Sequence, residues 1–137
     1  KTGKGYYDYD EKRTPIPSDE VAEVIREFAA KSNLPQVTLT EEEILKRLLY
    51  PMVNEAAKIL QEGIAIRPSD IDVVWVYGYG WPRYWGGPCF WADVIGVEKI
   101  VAELEELAKS EGPVWEPADL LKDLAAQGQG FKDYKAG

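Results

Sequence analysis

Histidine is absent from the 137 residues, and cysteine and methionine occur once each. Without histidine the chain lacks the usual general base near neutral pH and the commonest metal ligand. That excludes serine-type triads, histidine proton shuttles and nearly every zinc constellation. A single cysteine, Cys89, cannot close an internal disulfide, so a reducing compartment is the default expectation. Cations are scarce too: 16 Lys plus Arg against 24 Asp plus Glu give a net charge of −8, which argues against nucleic acid and anionic membrane surfaces as partners. No apolar run reaches the length of a transmembrane helix, and no signal peptide opens the chain. The first residue is Lys1 and not Met, which points to a fragment or a processed product. The chemistry left open is that of carboxylates, Lys, Tyr or a lone thiol.

What is present suits one folded core. Hydrophobic residues make up 45% and charged residues 29%, too apolar for disorder, and five Trp with eight Tyr point to a large packing surface or an interface. Lys1 to Pro17 reads as an extended, turn-rich arm. A helix is expected over Asp19 to Lys31, with Ser18 as N-cap and Val21, Val24, Ile25 and Phe28 on one face. Ser32 to Leu39 forms a connector around Pro35.

Thr40 and Glu43 spell a capping box, and the helix they open should stop at Gly63. Ile44, Leu45, Leu48, Leu49, Met52, Val53, Ala56 and Leu60 define its buried stripe, with Pro51 expected to kink it. Ile71 to Tyr77 is ambiguous between strand and helix, because its Val, Trp and Tyr content favours β structure while a short apolar run fits a buried helix equally well. Gly78 to Gly87 must be a loop. Short or amphipathic helices are then expected from Pro88 to Ile95, Val97 to Lys109 and Pro117 to Gln127. The whole is mostly helical, with five or six helices. Gly3-Lys4-Gly5-Tyr6-Tyr7-Asp8-Tyr9 is echoed by Gly128-Gln129-Gly130-Phe131-Lys132-Asp133-Tyr134; this is either the same closing motif of two successive units or a coincidence of two Gly/Tyr-rich ends.

Several motifs fail on inspection. Gly78-Tyr79-Gly80 lacks the third glycine of a dinucleotide fingerprint and runs into Pro82. Asp8-Tyr9-Asp10 places Lys12 and Arg13 where a calcium loop needs a ligand and a glycine. Glu41, Glu42 and Glu43 suit a helix start, and Asp70 with Asp72 read as a helix-start pair, since residues two apart do not share a helix face. Cys89 is a packing residue or, less simply, a reactive thiol. No catalytic or metal-ligating residue is assigned. Tyr77 to Pro88 differs in kind, because glycines and aromatic rings together make either a ligand cleft or a cover for neighbouring helix ends. Arg83, the loop's one cation, could meet a phosphate or a nearby carboxylate.

Arg47-Leu48-Leu49-Tyr50-Pro51-Met52-Val53-Asn54-Glu55-Ala56, Glu62-Gly63, Asp70-Ile71-Asp72, Tyr77-Gly78-Tyr79-Gly80-Trp81-Pro82 and Gly86-Gly87-Pro88 resemble, in order and spacing, the C-terminal domain of 3-hydroxyacyl-CoA dehydrogenases. The resemblance implies an all-α bundle of the 6-phosphogluconate dehydrogenase C-terminal-like type, and so a helix at Ile71 to Tyr77 with burial overriding β propensity. Within the family, the echoed Gly-x-Gly-aromatic motif narrows the likeness to multifunctional fatty-acid β-oxidation enzymes, which carry two such domains in tandem.

On that likeness residues 1–17 are the tail of the preceding domain with a linker, and residues 18–137 the second copy. The parent is expected to oxidise L-3-hydroxyacyl-CoA with NAD bound by a domain absent here, to carry enoyl-CoA hydratase activity as well, and to reside in a bacterial cytoplasm or a peroxisome. Its expected partners are the preceding helical copy, packed as an internal pseudo-dimer, the nucleotide-binding domain of the same polypeptide, and acyl-CoA; the isolated chain could pair with itself. The family's helix-borne Asn falls at Lys46, so the copy is expected to be silent, and Asn54 is not that residue. Tyr77 matches a substrate-binding position and is otherwise a core tyrosine. A free-standing dimerisation or acyl-CoA-binding module is the other possibility.

Overall fold

The computed structural model describes residues 5–34 and 37–135, which divide into two compact units, Lys1–Leu39 and Thr40–Gly137. Packing thus parts the chain between 39 and 40, and the first helix falls with the arm. Pro35 and the opening Gly3-Lys4 of the echo lie outside the described residues.

The arm of the first unit is more ordered than an extended segment. Strand β1 (Tyr7–Tyr9) pairs antiparallel with β2 (Pro15–Pro17), with Asp8 opposite Ile16. Asp10 closes the turn between them, its Oδ1 accepting from the amides of Lys12 and Thr14 at 2.8 Å each. These bonds hold the Asp10 carboxyl below its ordinary range, with the Thr14 amide the largest contributor. Helix α1 spans Asp19–Lys31 as expected, but Ser18 makes no side-chain cap, and none of the helix's residues is buried. Val24, Ile25 and Phe28, the expected inner face, are all more than half exposed.

The second unit is a helical bundle. Helix α2 (Glu41–Gln61) opens with the full capping box: the Thr40 hydroxyl accepts from the Glu43 amide, and Glu43 Oε2 accepts from the Thr40 amide at 2.8 Å. The helix runs on through Pro51 and ends at Gly63, whose φ of +71° suits glycine. Tyr50, Val53, Ala56, Ala57 and Leu60 are buried, but Ile44, Leu45 and Leu48 are exposed. Only the C-terminal part of the expected stripe is therefore core, because the later helices over Pro88–Ile95 and Asp119–Ala126 pack there.

Helix α3 (Pro68–Gly78), α4 (Pro88–Ile95), α5 (Val97–Glu111) and α6 (Asp119–Ala126) complete the bundle, with 3-10 turns at Arg83–Trp85, Pro113–Trp115 and Phe131–Asp133. Val97, Ile100, Val101 and Leu104 of α5 meet Leu121 and Leu124 of α6, Cys89 and Ala92 of α4, and Phe131 in one core. Helix it is at Ile71 to Tyr77, yet burial within this unit does not explain it: Ile71 alone of α3 is buried, and Val73, Val74 and Tyr77 face out.

Helix starts leave amides without intrahelical partners, and α4 and α6 lack capping side chains of their own. Distant side chains serve instead. Buried Asn54 accepts from the Ala118 amide at 2.7 Å and donates to the Glu116 carbonyl at 2.8 Å, fixing the entry to α6. Asp93 accepts from the Phe131 amide at 2.6 Å and the Lys132 amide at 2.9 Å, and a Cβ on Gly130 would collide with that carboxylate. The terminal Gly-x-Gly-aromatic motif is thereby locked onto α4.

Candidate functional site

The loop between α3 and α4 separates into an inner wall and an outer cleft. The wall is a run of rings: Trp75 to Trp81 at 6.0 Å between centroids, Trp81 to Trp85 at 6.1 Å, Trp81 to Trp91 at 6.3 Å and Tyr50 to Trp91 at 6.1 Å. Tilted and edge-to-face pairs of this kind contribute about 0.5–1.5 kcal/mol each beyond burial. Trp81 is 6% exposed, and its indole N–H is buried with no hydrogen-bond partner among the described residues. This half of the loop covers helix ends, the more structural of the two expected roles.

The outer half keeps the other role. Val73, Val76, Tyr77, Arg83, Tyr84 and Phe90 line a cleft of about 470 Å³. Tyr77 is 73% exposed, and the Arg83 guanidinium lies 5.3 Å from its ring centroid. Arg83 therefore meets a π face, and no carboxylate among the described residues pairs with it. No partner for the Tyr77 hydroxyl is present among the described residues. Tyr77 is not a core tyrosine in this unit.

Asp72 builds the floor, a role the sequence reading missed. Asp70 does belong to the helix start, pairing with Arg67 at 2.7 Å, but Asp72 turns to α4. Its Oδ1 accepts from the Cys89 amide at 2.8 Å and its Oδ2 from the Phe90 amide at 3.1 Å. Gly87, at φ +100°, packs against it so closely that a Cβ would overlap the Asp72 backbone. Burial raises the Asp72 carboxyl above its ordinary range, and the two amides offset part of that rise. The available signal was a Gly-Gly-Pro helix start with no Ser, Thr, Asp or Asn to cap it. Cys89 is 1% exposed, and burial, then the Asp72 charge, pushes its thiol up, which makes it a packing residue.

Lys46 is engaged in structure. Its Nζ lies 2.9 Å from Glu42 and 3.0 Å from Glu103, and Tyr50 donates to the same Glu103 oxygen at 2.9 Å. The hydrogen bonds to Glu42 and Glu103 raise the Lys46 ammonium above its usual range. Burial, followed by Glu103, pushes the Tyr50 phenol up to about 12.

A second hollow, about 590 Å³, lies on the other side of α3 between Ile59, Ile64, Ile66, Val74, Trp75 and Tyr79. No helix among the described residues is long and apolar enough to cross a membrane, and those residues hold no cluster of metal-ligating side chains.

The family model for the 3-hydroxyacyl-CoA dehydrogenase, C-terminal domain, matches residues 44–136. The chain belongs to this family. The match takes in both halves of the aromatic loop, the Asp72 clamp and the closing turn at Phe131. Among curated proteins the domain is 41% identical to the human peroxisomal bifunctional enzyme over 132 residues, 93% of this chain and 18% of that protein. It is 39% identical over 131 residues to the glyoxysomal fatty acid beta-oxidation multifunctional protein MFP-a of Cucumis sativus, with the same coverage. To the Arabidopsis thaliana peroxisomal fatty acid beta-oxidation multifunctional protein AIM1 it is 33% identical over 138 residues, 98% of this chain and 19% of that protein. The chain thus spans under a fifth of the length of these relatives.

Proposed function

We propose that the chain is a substrate-side helical domain of a peroxisomal multifunctional fatty-acid β-oxidation enzyme, the second of two tandem copies. The parent oxidises L-3-hydroxyacyl-CoA to 3-ketoacyl-CoA with NAD and hydrates enoyl-CoA. The observation that supports this best is the joint one: a family match over residues 44–136, within relatives whose printed names are bifunctional and multifunctional enzymes.

The role is binding and positioning. The glycine loop after α3 leaves a helix, not a strand, and enters a 3-10 turn, so it does not fit a dinucleotide pyrophosphate, which needs a strand, a glycine turn and a helix N-terminus. In this reading NAD is held by another domain of the parent. Lys46 stands where the family's Asn is expected and is tied into its ion pairs. Tyr77 presents a phenol able to donate one hydrogen bond to an acyl-CoA held against the cleft. The exposed apolar residues of α2 and α3 form the surface on which the preceding copy packs.

In the protein encoded by the complete gene, Tyr77→Phe should raise the KM for L-3-hydroxyacyl-CoA by about threefold to tenfold with kcat nearly unchanged, as loss of one hydrogen bond predicts. Unchanged kinetics would remove Tyr77 from the substrate site. The 137 residues alone should not reduce NAD; NADH formation by the purified chain would overturn the assignment.

A further inference from the structure

We infer that Arg83 is the anion anchor of the Tyr77 cleft, and that it binds a phosphate of the acyl-CoA while the apolar lining meets the ligand's uncharged part. The inference rests on the proposed acyl-CoA role of this cleft and adds to it the group recognised and the residue that recognises it.

Three observations carry it. First, Arg83 is held in place without being neutralised. Its guanidinium lies over the Tyr77 ring, which steadies the planar group from one side, and no carboxylate pairs with it among the described residues. A guanidinium held over a ring by its cationic carbon, and not by hydrogen bonds, keeps N–H donors free for an oxyanion, and a phosphate fits that fork bidentately. Second, the cleft is less negative than the chain as a whole, with one cation and one carboxylate on its lining. With a net charge of −8 the protein repels anions on average, yet the cleft sets one cation at its lining. The carboxylate that also borders it, Asp72, has both oxygens engaged by the amides of Cys89 and Phe90. Third, apart from Ser69 the remaining lining is largely apolar: Val73, Val76, Gly86 and Phe90, with the ring of Tyr84 alongside. A site with one cation and mainly apolar walls selects an amphiphile with an anionic end.

The position of the anchor is set by backbone geometry. Arg83 opens the 3-10 turn that closes on Gly86, whose φ is +72° and where a Cβ would collide with the Phe90 ring. That turn is docked in turn by Trp85 against Trp81. Arg83 thus projects from a braced segment, even though its side chain is exposed.

The test is a titration of the 137-residue chain with S-octanoyl-CoA, with S-octanoyl-pantetheine, which lacks every phosphate, and with octanoate, which offers a carboxylate. Wild type is compared with Arg83→Gln and Arg83→Lys; far-UV circular dichroism confirms that the variants fold. We expect Arg83→Gln to weaken octanoyl-CoA about tenfold or more and to leave octanoyl-pantetheine unchanged, with Arg83→Lys recovering part of the loss because it keeps the charge without the fork. Added salt should reduce the difference between wild type and Arg83→Gln.

Equal affinity of wild type and Arg83→Gln for octanoyl-CoA overturns the inference. So does equal weakening of both thioesters, which would make Arg83 a support for the Tyr77 ring, and so does an Arg83 dependence confined to octanoate. Failure of the wild-type chain to bind octanoyl-CoA also overturns it. The proposed function has its own readout in the Tyr77→Phe kinetics of the longer protein, so the two can fail separately.

Discussion

The two ends of helix α2 both carry apolar residues, and these have opposite fates. From Tyr50 to Leu60 most of its apolar residues, among them Tyr50, Val53, Ala56, Ala57 and Leu60, are buried against α4 and α6; from Ile44 to Leu48 they stand in solvent, Leu48 at 56% exposure. Helix α3 repeats the contrast across its width, with Ile71 inside and Val73, Val74 and Tyr77 outside. A closed core therefore meets an open apolar rim in one domain. Periodicity shows that a face is apolar, and the difference between the two regions shows that it does not say what covers that face. The closed part is held by packing and by three long-range side chains, Asn54, Asp72 and Asp93, each satisfying the start of a later element. The rim's long-range ties are ion pairs, Lys46 with Glu103 and Arg47 with Glu111, and they leave its apolar side chains uncovered.

The largest effect should come from the fastening itself. Asn54→Ala leaves the Ala118 amide and the Glu116 carbonyl without their partner in a site 3% exposed, and two such orphaned groups cost about 2–4 kcal/mol. Chemical denaturation of the chain should show a lower midpoint with an unchanged slope. A loss below about 0.5 kcal/mol would mean that the entry to α6 is held by packing alone, and the distinction between fastened core and open rim would weaken.

A smaller effect is expected at alkaline pH, at the boundary between the two regions. Tyr50, the first buried residue of α2, has its phenol raised from 10 to about 12 by burial and by Glu103. The fold favours the neutral phenol, so this contribution is fully present below pH 10. It is lost as the pH rises from 10 through about 12, by no more than about 1.4 kcal/mol per pH unit. Lys46, raised by Glu42 and Glu103, acts in the same direction, its contribution beginning to fall above 10.5. Thermal unfolding measured from pH 9 to 12 should show the decline, and Tyr50→Phe should make it shallower. An identical pH profile in the variant would assign the alkaline loss elsewhere.

Much of this division could be read in advance, and the reasons for the rest are specific. Thr40 and Glu43 form their box because both partners lie within one turn, and local signals of that kind survive folding. Ser18 carried the same signal for α1 and makes no cap, so residue type alone does not settle a start. The helical state of Ile71 to Tyr77 came from resemblance; the residues themselves favour β structure, and this unit buries too few of them to override that preference alone. The sequence marks Tyr77 as part of an aromatic, glycine-bearing segment, but its pairing with Arg83 depends on the turn between them. Asp72 was hardest to read: its partners lie 17 and 18 residues away, and the Gly87 that makes room for it looks in sequence like one more loop glycine.

The smallest effect belongs to the rim, and its smallness is the point. Leu48→Ser replaces an apolar side chain that is already more than half in water, so the stability of the chain should change by no more than about 0.5 kcal/mol. Self-association should respond instead. If the rim is the surface that packs on a neighbouring copy, wild-type chain at high concentration should sediment partly as a dimer, and Leu48→Ser should shift it toward monomer. The two measurements together locate the residue: a stability loss near that of Asn54→Ala would return Leu48 to the core, while a change in association alone assigns it to an interface. On that outcome the exposed apolar residues of α2 serve a contact outside the unit, for the same physical reason that those of its other half are buried within it.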